Sequence, residues 1–174
     1  MSKLILMMGA PGSGKSTWIR DNAAAGDIHV SRDQIRFALV EEGEEYFSRE
    51  DEVFNIFVET VKYHLKEGGC VWADATHLTH KSRLKLLNAV TAGMTELPHL
   101  EIVYIAKDLN TCLEQNENRR NTRAFVPRSV IRRMWESIEA PCFKEDKFYY
   151  DKIILTTENK RIVVVNNELR RDNT

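Results

Sequence analysis

The sequence predicts a three-layer α/β/α sandwich built on a mainly parallel central sheet. Short apolar runs alternate along the chain with stretches of helical periodicity, the pattern that parallel crossovers require. The first of these runs ends in a glycine-rich turn that opens a helix. The length, 174 residues, suits one domain of about 100 to 200 residues, so residues 1–174 are expected to form a single unit. Hydrophobic residues at 43% and charged residues at 29% supply a core and exclude a disordered, collagenous or membrane-spanning chain.

Taken in order, Leu4-Ile5-Leu6-Met7-Met8 reads as a buried first strand, since a run broken by Gly9 is far short of the ~20 residues that cross a bilayer. Lys15 to Ala25 has helical composition, with Gly26 as its stop. Ile28-His29-Val30 is a short second strand leading to Ser31-Arg32-Asp33, after which Ile35, Phe37, Ala38 and Leu39 suggest a second helix. Glu41 to Glu52 holds seven acidic side chains against one arginine. It reads as a solvated loop passing into a helix start at Ser48, with Asp51 three residues on. Val53, Phe54, Phe57, Val58, Val61 and Leu65 then fall along one helical face, and Gly68-Gly69 end the run.

Cys70-Val71-Trp72-Ala73 is a third strand, closed by Asp74. Thr79 caps a fourth helix with Leu84, Leu87 and Val90 on its buried side, and Leu100 to Ala106 is a fourth strand. A short helix and a basic loop come next. The helix beyond them takes Pro127 in its first turn and carries Val130, Ile131, Met134, Trp135 and Ile138. Ile153 to Leu155 and Ile162 to Val165 are the last two strands.

Charge and cysteine usage narrow the function classes. With 25 Lys+Arg against 26 Asp+Glu, a net of -1, the protein does not hold nucleic acid through overall positive charge, and any polyanion is gripped locally. Cys70, Cys112 and Cys142 form no C-x-x-C pair and follow no secretory segment, so neither a disulfide framework nor a zinc knuckle is expected. A reducing cytoplasm fits, with no membrane partner.

Ligands of open α/β sheets collect beyond the carboxyl ends of the strands. There, Gly9-Ala10-Pro11-Gly12-Ser13-Gly14-Lys15-Ser16 matches G-x-x-x-x-G-K-[ST] between a predicted strand and a predicted helix, with Thr17 next in line. Glycines turn successive backbone N–H groups toward one concavity, and the helix N-terminus adds partial positive charge for the phosphates of ATP or another NTP. Lys15 would reach the β and γ phosphates and Ser16 would ligate Mg²⁺. The fold expected is thus a P-loop kinase fold.

Asp33 follows the second strand, where a carboxylate can accept the proton of an attacking hydroxyl. Arg36, three residues on, can grip an acceptor phosphate. The alternative for this pair is an N-capping Asp with an i,i+3 ion pair. Asp74 ends the third strand, where an acidic residue orients a Mg²⁺-bound water; the alternative is a turn residue. His77 has no second histidine or carboxylate cluster near it in sequence and reads as a positioning residue. Arg119, Arg120, Arg123, Arg128, Arg132 and Arg133 make a stretch of six arginines with no acidic residue between 119 and 133. A helical lid over about 112–135 would let one of them stabilise the transferred phosphoryl group and others meet a polyanionic acceptor. The alternative is a solvated face, most of all for Arg133.

Gly-Ala-Pro-Gly-Ser-Gly-Lys-Ser-Thr-Trp at 9–18, Ser-Arg-Asp-Gln-Ile-Arg at 31–36, Asp-Ala-Thr-His-Leu at 74–78 and the Asn-Arg-rich stretch ending in Val126-Pro127 together resemble the kinase domain of bacteriophage 5'-hydroxyl polynucleotide kinases. The resemblance runs from Met1 to about Pro141. It implies Lys15 and Ser16 on the donor phosphates and Mg²⁺, and Asp33 as general base for the 5'-hydroxyl of DNA or RNA. It puts Arg36 on the phosphate 3' to the acceptor nucleoside, Asp74 and Thr76 on the acceptor side, and Val126 against the terminal base. The family's lid arginine matches Arg120 first and Arg119 second, with Arg123 toward the acceptor. The Asp-x-Asp-Gly-Thr motif of the family's phosphatase domain is missing from this sequence, so a kinase-only relative is expected. The Ser-Arg-Asp element is also similar to that of small-molecule kinases, which leaves transfer to a hydroxylated metabolite, nucleoside or antibiotic as the alternative. An NTP-binding switch with no acceptor is a third possibility.

Overall fold

The structure, a computed structural model, describes residues 1–41 and 44–166. Glu42 and Gly43 of the acidic stretch, and the C-terminal 167–174 of the expected single unit, lie outside the described residues. The central sheet has six strands: β1 Lys3–Met8, β2 Ile28–Ser31, β3 Cys70–Asp74, β4 His99–Ile105, β7 Lys152–Thr156 and β8 Arg161–Val165, in the order β2-β3-β1-β4-β7-β8. All pairings are parallel except β7 with β8. Between them run α1 Lys15–Asn22, α2 Arg32–Leu39, α3 Glu50–Lys66, α4 His80–Thr91, α5 Leu109–Glu117 and α6 Arg128–Glu136. The result is the three-layer α/β/α P-loop kinase fold with its mainly parallel sheet.

Alternation along β1 builds two cores. Leu4, Leu6 and Met8 face Phe57 and Val61 of α3 and Leu86 and Leu87 of α4, while Ile5 and Met7 face Ile19 of α1. A strand side chain every second residue is all that this separation needs. A third cluster joins Ala10 after β1 to Cys112 and Leu113 of α5 and Ile131 of α6, tying the arginine-bearing helical pair to the loop that precedes α1.

Several element boundaries differ from the sequence reading. α1 stops at Asn22 rather than Ala25, because Ala23 is extended and Asp27 accepts the Ala24 N–H at 3.0 Å, folding the chain into a turn. α2 begins at Arg32, capped by Ser31, whose hydroxyl accepts from the Gln34 N–H at 3.3 Å. Asp33 is therefore a first-turn residue and not the N-cap. α3 starts at Glu50 without a side-chain cap, since the Ser48 N–H is drawn to the Glu45 carbonyl at 3.0 Å in the preceding turn. Pro127 is the N-cap of α6 and its carbonyl accepts from Val130 and Ile131. A two-residue hairpin, β5 Lys144–Glu145 with β6 Phe148–Tyr149, carries too few residues to show a period. Within β4, Glu101 is buried yet paired, with Lys3 of β1 at 2.9 Å and Lys152 of β7 at 2.8 Å.

Candidate active site

Register fixes the site. Met7 pairs with Asp74 across β1 and β3, and Ser31 pairs with Asp74 across β2 and β3, so three strand ends stand in a row at the carboxyl edge of the sheet. The loop after β1 is tied to the loop after β3 by the Gly9 N–H donating to the Thr76 carbonyl at 3.0 Å. Gly12 has φ 81, and a Cβ there would run into the Cys112 carbonyl of α5. Only glycine lets the loop and α5 approach this closely. Ala10 and Ser13 are buried beneath the loop, while Pro11, Gly12, Gly14, Lys15 and Ser16 line a cavity above it. Gly9 lies beneath with them and Thr17 is exposed on α1; neither lines the cavity.

Lys15 folds over the loop, its Nζ donating to the carbonyls of Gly9 at 2.8 Å and Ala10 at 3.0 Å. Burial pulls its pKa down, with the charges of Asp74 and Asp33 opposing. Ser16 Oγ donates to Asp74 Oδ2 at 2.9 Å. His29 Nε2, which sequence reasoning did not single out, meets the same oxygen at 3.0 Å. Burial alone would push the Asp74 carboxyl up; hydrogen bonds from His29 and Ser16 and the charge of Lys15 hold it below the usual value. A hydroxyl and a carboxylate at the start of α1 are the hard-oxygen donors that Mg²⁺ takes, one or two from protein with phosphates and water completing its octahedron. The residues present fit that ion.

Opposite stands the carboxylate of Asp33, more than half exposed. Its Oδ1 is in contact with the Arg36 guanidinium and accepts from the Tyr46 hydroxyl at 3.1 Å. Arg36 itself is buried, with Nε donating to Glu50 Oε1 at 2.6 Å, while Arg32 donates to Glu50 Oε2 at 2.7 Å. Burial works against charge on Arg36, but Glu50, Tyr46 and Asp33 overrule it and raise its pKa further above the ordinary arginine value. Burial and the charge of Asp33 push the Tyr46 phenol up to about 12. The i,i+3 pair anticipated for Asp33 and Arg36 is present, and both side chains line the cavity with Lys15, Ser16, Asp74 and Thr76.

The acidic segment is not a solvated loop throughout. Tyr46, Phe47 and Glu50 line the same cavity. The signal available in the sequence was an aromatic pair, Tyr46-Phe47, in the middle of an acidic run. Of the lid arginines, Arg119 lines the cavity. Arg120 does not: its guanidinium is turned to Glu117 at 2.7 Å and is 68% exposed. Arg123 is held by the carbonyls of Phe37 and Val40 at the end of α2 and does not line the cavity. Val126 does, because Asn116 of α5 grips its backbone from both sides, accepting from its N–H at 3.0 Å and donating to its carbonyl at 2.8 Å. His77 is buried, its Nδ1 donating to the Met7 carbonyl at 2.7 Å, a strut between β1 and the loop after β3.

The sequence profile of a family described as an AAA domain (AAA_33) matches residues 4–141. The chain belongs to this family. The AAA domain match thus takes in β1 to α6 and stops before the β5–β6 hairpin and strands β7 and β8. Solved structures share the fold. A chain of the Pnkp1/Rnl/Hen1 RNA repair complex is 24% identical over 78% of this chain and 43% of its own, with a TM-score of 0.61. A gluconokinase from Sinorhizobium meliloti 1021 is 17% identical over 91% of this chain and 83% of its own, at 0.58. A putative kinase from Chloroflexus aurantiacus is 15% identical over 99% of this chain and 97% of its own, at 0.62. This chain spans less than half of the RNA repair chain. At these identities, likeness to solved structures carries the P-loop kinase fold and nothing finer.

Proposed function

We propose that this AAA domain is an ATP-dependent polynucleotide 5'-hydroxyl kinase, moving the γ-phosphate of ATP to the 5'-hydroxyl end of DNA or RNA. One observation carries the reading: an exposed carboxylate, Asp33, faces the phosphate-binding loop across a cavity shared with Lys15, Ser16 and Asp74. The RNA repair complex among the fold's neighbours, and the motif blocks at 9–18, 31–36 and 74–78, support the acceptor class. In this reading the loop amides and Lys15 hold the β and γ phosphates in line with the acceptor. Ser16, with Asp74 through water, would hold Mg²⁺, which when bound neutralises charge on the donor phosphates.

Asp33 takes the proton of the acceptor hydroxyl as its oxygen bonds to the γ-phosphorus, the bond to the β-γ bridging oxygen breaks and ADP leaves. α5, the loop after it and α6 act as the lid. The presence of Arg119 on the cavity wall supports it over Arg120 as the residue that meets the transferred phosphoryl group. A second reading, transfer to a small hydroxylated metabolite, is favoured by one observation. Arg36, the acceptor-phosphate candidate, is already neutralised by Glu50 and Asp33, and a gluconokinase shares the fold.

The deciding assay is transfer of radiolabelled γ-phosphate from ATP, compared across 5'-hydroxyl DNA, RNA, nucleoside 3'-monophosphates and a panel including gluconate. The expected product is a 5'-phosphorylated polynucleotide. Asp33→Asn should abolish transfer, a loss of at least a hundredfold on the scale of general-base catalysis, with ATP affinity by titration close to wild type. Loss of ATP affinity instead would remove Asp33 from the role of base.

A further inference from the structure

The charged floor of the cavity accounts for phosphates and a hydroxyl. Its mouth has a different chemistry. Phe47 is 43% exposed, a large apolar ring left in solvent on the cavity wall. Tyr46 stands edge-on to it, ring centroids 4.8 Å apart at 88°. The Arg36 guanidinium lies 4.6 Å from the Tyr46 centroid and 5.4 Å from that of Phe47. On the lid side the cavity is closed by Ala124, Val126 and Met134, all apolar. A ligand entering here meets aromatic faces on one side and aliphatic groups on the other.

We propose that Tyr46 and Phe47 form a stacking platform for the terminal nucleobase of the acceptor, with Val126 on the other side of the base. This rests on the polynucleotide kinase reading and names the recognition element that reading lacks. Proximity assigns the platform to the acceptor rather than to the adenine of ATP, because the Tyr46 hydroxyl is 3.1 Å from the Asp33 carboxylate, where the acceptor hydroxyl must come. A flat aromatic ligand is favoured over a sugar by the state of the polar groups nearby. A sugar's hydroxyls need carboxylates, amides or hydroxyls open to bidentate bonding. Here the Glu50 carboxylate bridges Arg32 and Arg36, and the Tyr46 hydroxyl is shared between Arg36 and Asp33. What remains to touch is ring and methyl surface, and base-on-aromatic stacking is tolerant of sequence because every base has a π-face.

Phe47 is exposed, so its truncation leaves the core intact. Steady-state transfer would be measured for Phe47→Ala and Phe47→Trp, with a 5'-hydroxyl oligonucleotide ending in a normal nucleoside and with one whose terminal residue is abasic. For Phe47→Ala we expect KM for the normal acceptor to rise roughly tenfold, the scale of one lost base–aromatic stack, with kcat and the KM for ATP within twofold. The abasic acceptor should start with a raised KM in the wild type and gain no further increase in the variant, and Phe47→Trp should restore the normal acceptor. An equal rise for both acceptors, or no change in either, would overturn the platform while leaving the kinase reading standing. Wild-type protein that phosphorylates neither oligonucleotide would overturn the polynucleotide reading and the platform with it.

Discussion

The imidazole of His77 is held where a charge cannot follow it. It is buried, donates Nδ1–H to the Met7 carbonyl at 2.7 Å, and its backbone takes φ 43, a left-handed angle few side chains adopt. Burial lowers its pKa from an ordinary 6.5 to about 4. Between those values the unfolded chain binds a proton that the folded chain refuses, so this contribution is fully present above about pH 6.5 and is lost as pH falls to about 4. The full loss is roughly 3 kcal/mol, about 2 of it by pH 5. His77→Asn tolerates the left-handed angle and does not titrate. Urea unfolding at pH 7 and pH 5 should therefore show a steep fall for wild type and a shallower one for the variant; parallel slopes would mean that His77 does not resist protonation. The sequence revealed only that His77 lacked metal-ligand company, because a residue's burial depends on which loop crosses over it.

Elements meet most expensively where α4 meets the β5–β6 hairpin. The Arg83 side chain of α4 is 1% exposed and that of Glu145 on β5 0%, paired at 2.6 Å. Arg83 also donates to the carbonyls of His77 at 3.1 Å and Glu139 at 3.0 Å, and Tyr150 donates its hydroxyl to Glu145 at 3.1 Å. A dry ion pair contributes little net stability, but a widowed partner costs a great deal. Arg83→Met should destabilise the fold by about 3 to 5 kcal/mol, and adding Glu145→Leu should recover most of it. Chemical denaturation of the two variants decides the point; a double variant no more stable than the single would mean that Arg83 acts through the His77 and Glu139 carbonyls instead. Helical periodicity gave α3 and α4 their buried faces because Leu87 and Val90 mark them in sequence. Arg83 sits on that buried face as well, and no pattern of apolar residues reports a charge whose partner is 62 residues away.

Across the whole molecule, the near-zero net charge arises from acidic and basic segments that fold against one another. Glu50, from the acidic segment, neutralises Arg32 and Arg36. Arg123 is bound to carbonyls at the end of α2, and Arg120 and Arg128 both pair with Glu117. The phosphate loop, Asp33 and Asp74 were legible because each follows an apolar run that names its strand, and the strand ends define the site. Tyr46, Phe47 and Glu50 were not, since composition counts charges without saying which of them meet. The consequence is a cavity that presents few uncommitted cations to an acceptor, chiefly Arg119 beside the loop and Lys15. An acceptor strand should then release only one or two counterions, giving a slope of about -1 in log affinity against log salt for a single strand. Titration of a 5'-hydroxyl oligonucleotide from low to high potassium chloride measures it. A slope near -4 or steeper would require a long basic groove, and with it a strand path along the outside of α6, where Arg132 and Arg133 are exposed, rather than entry of a single end into the cavity.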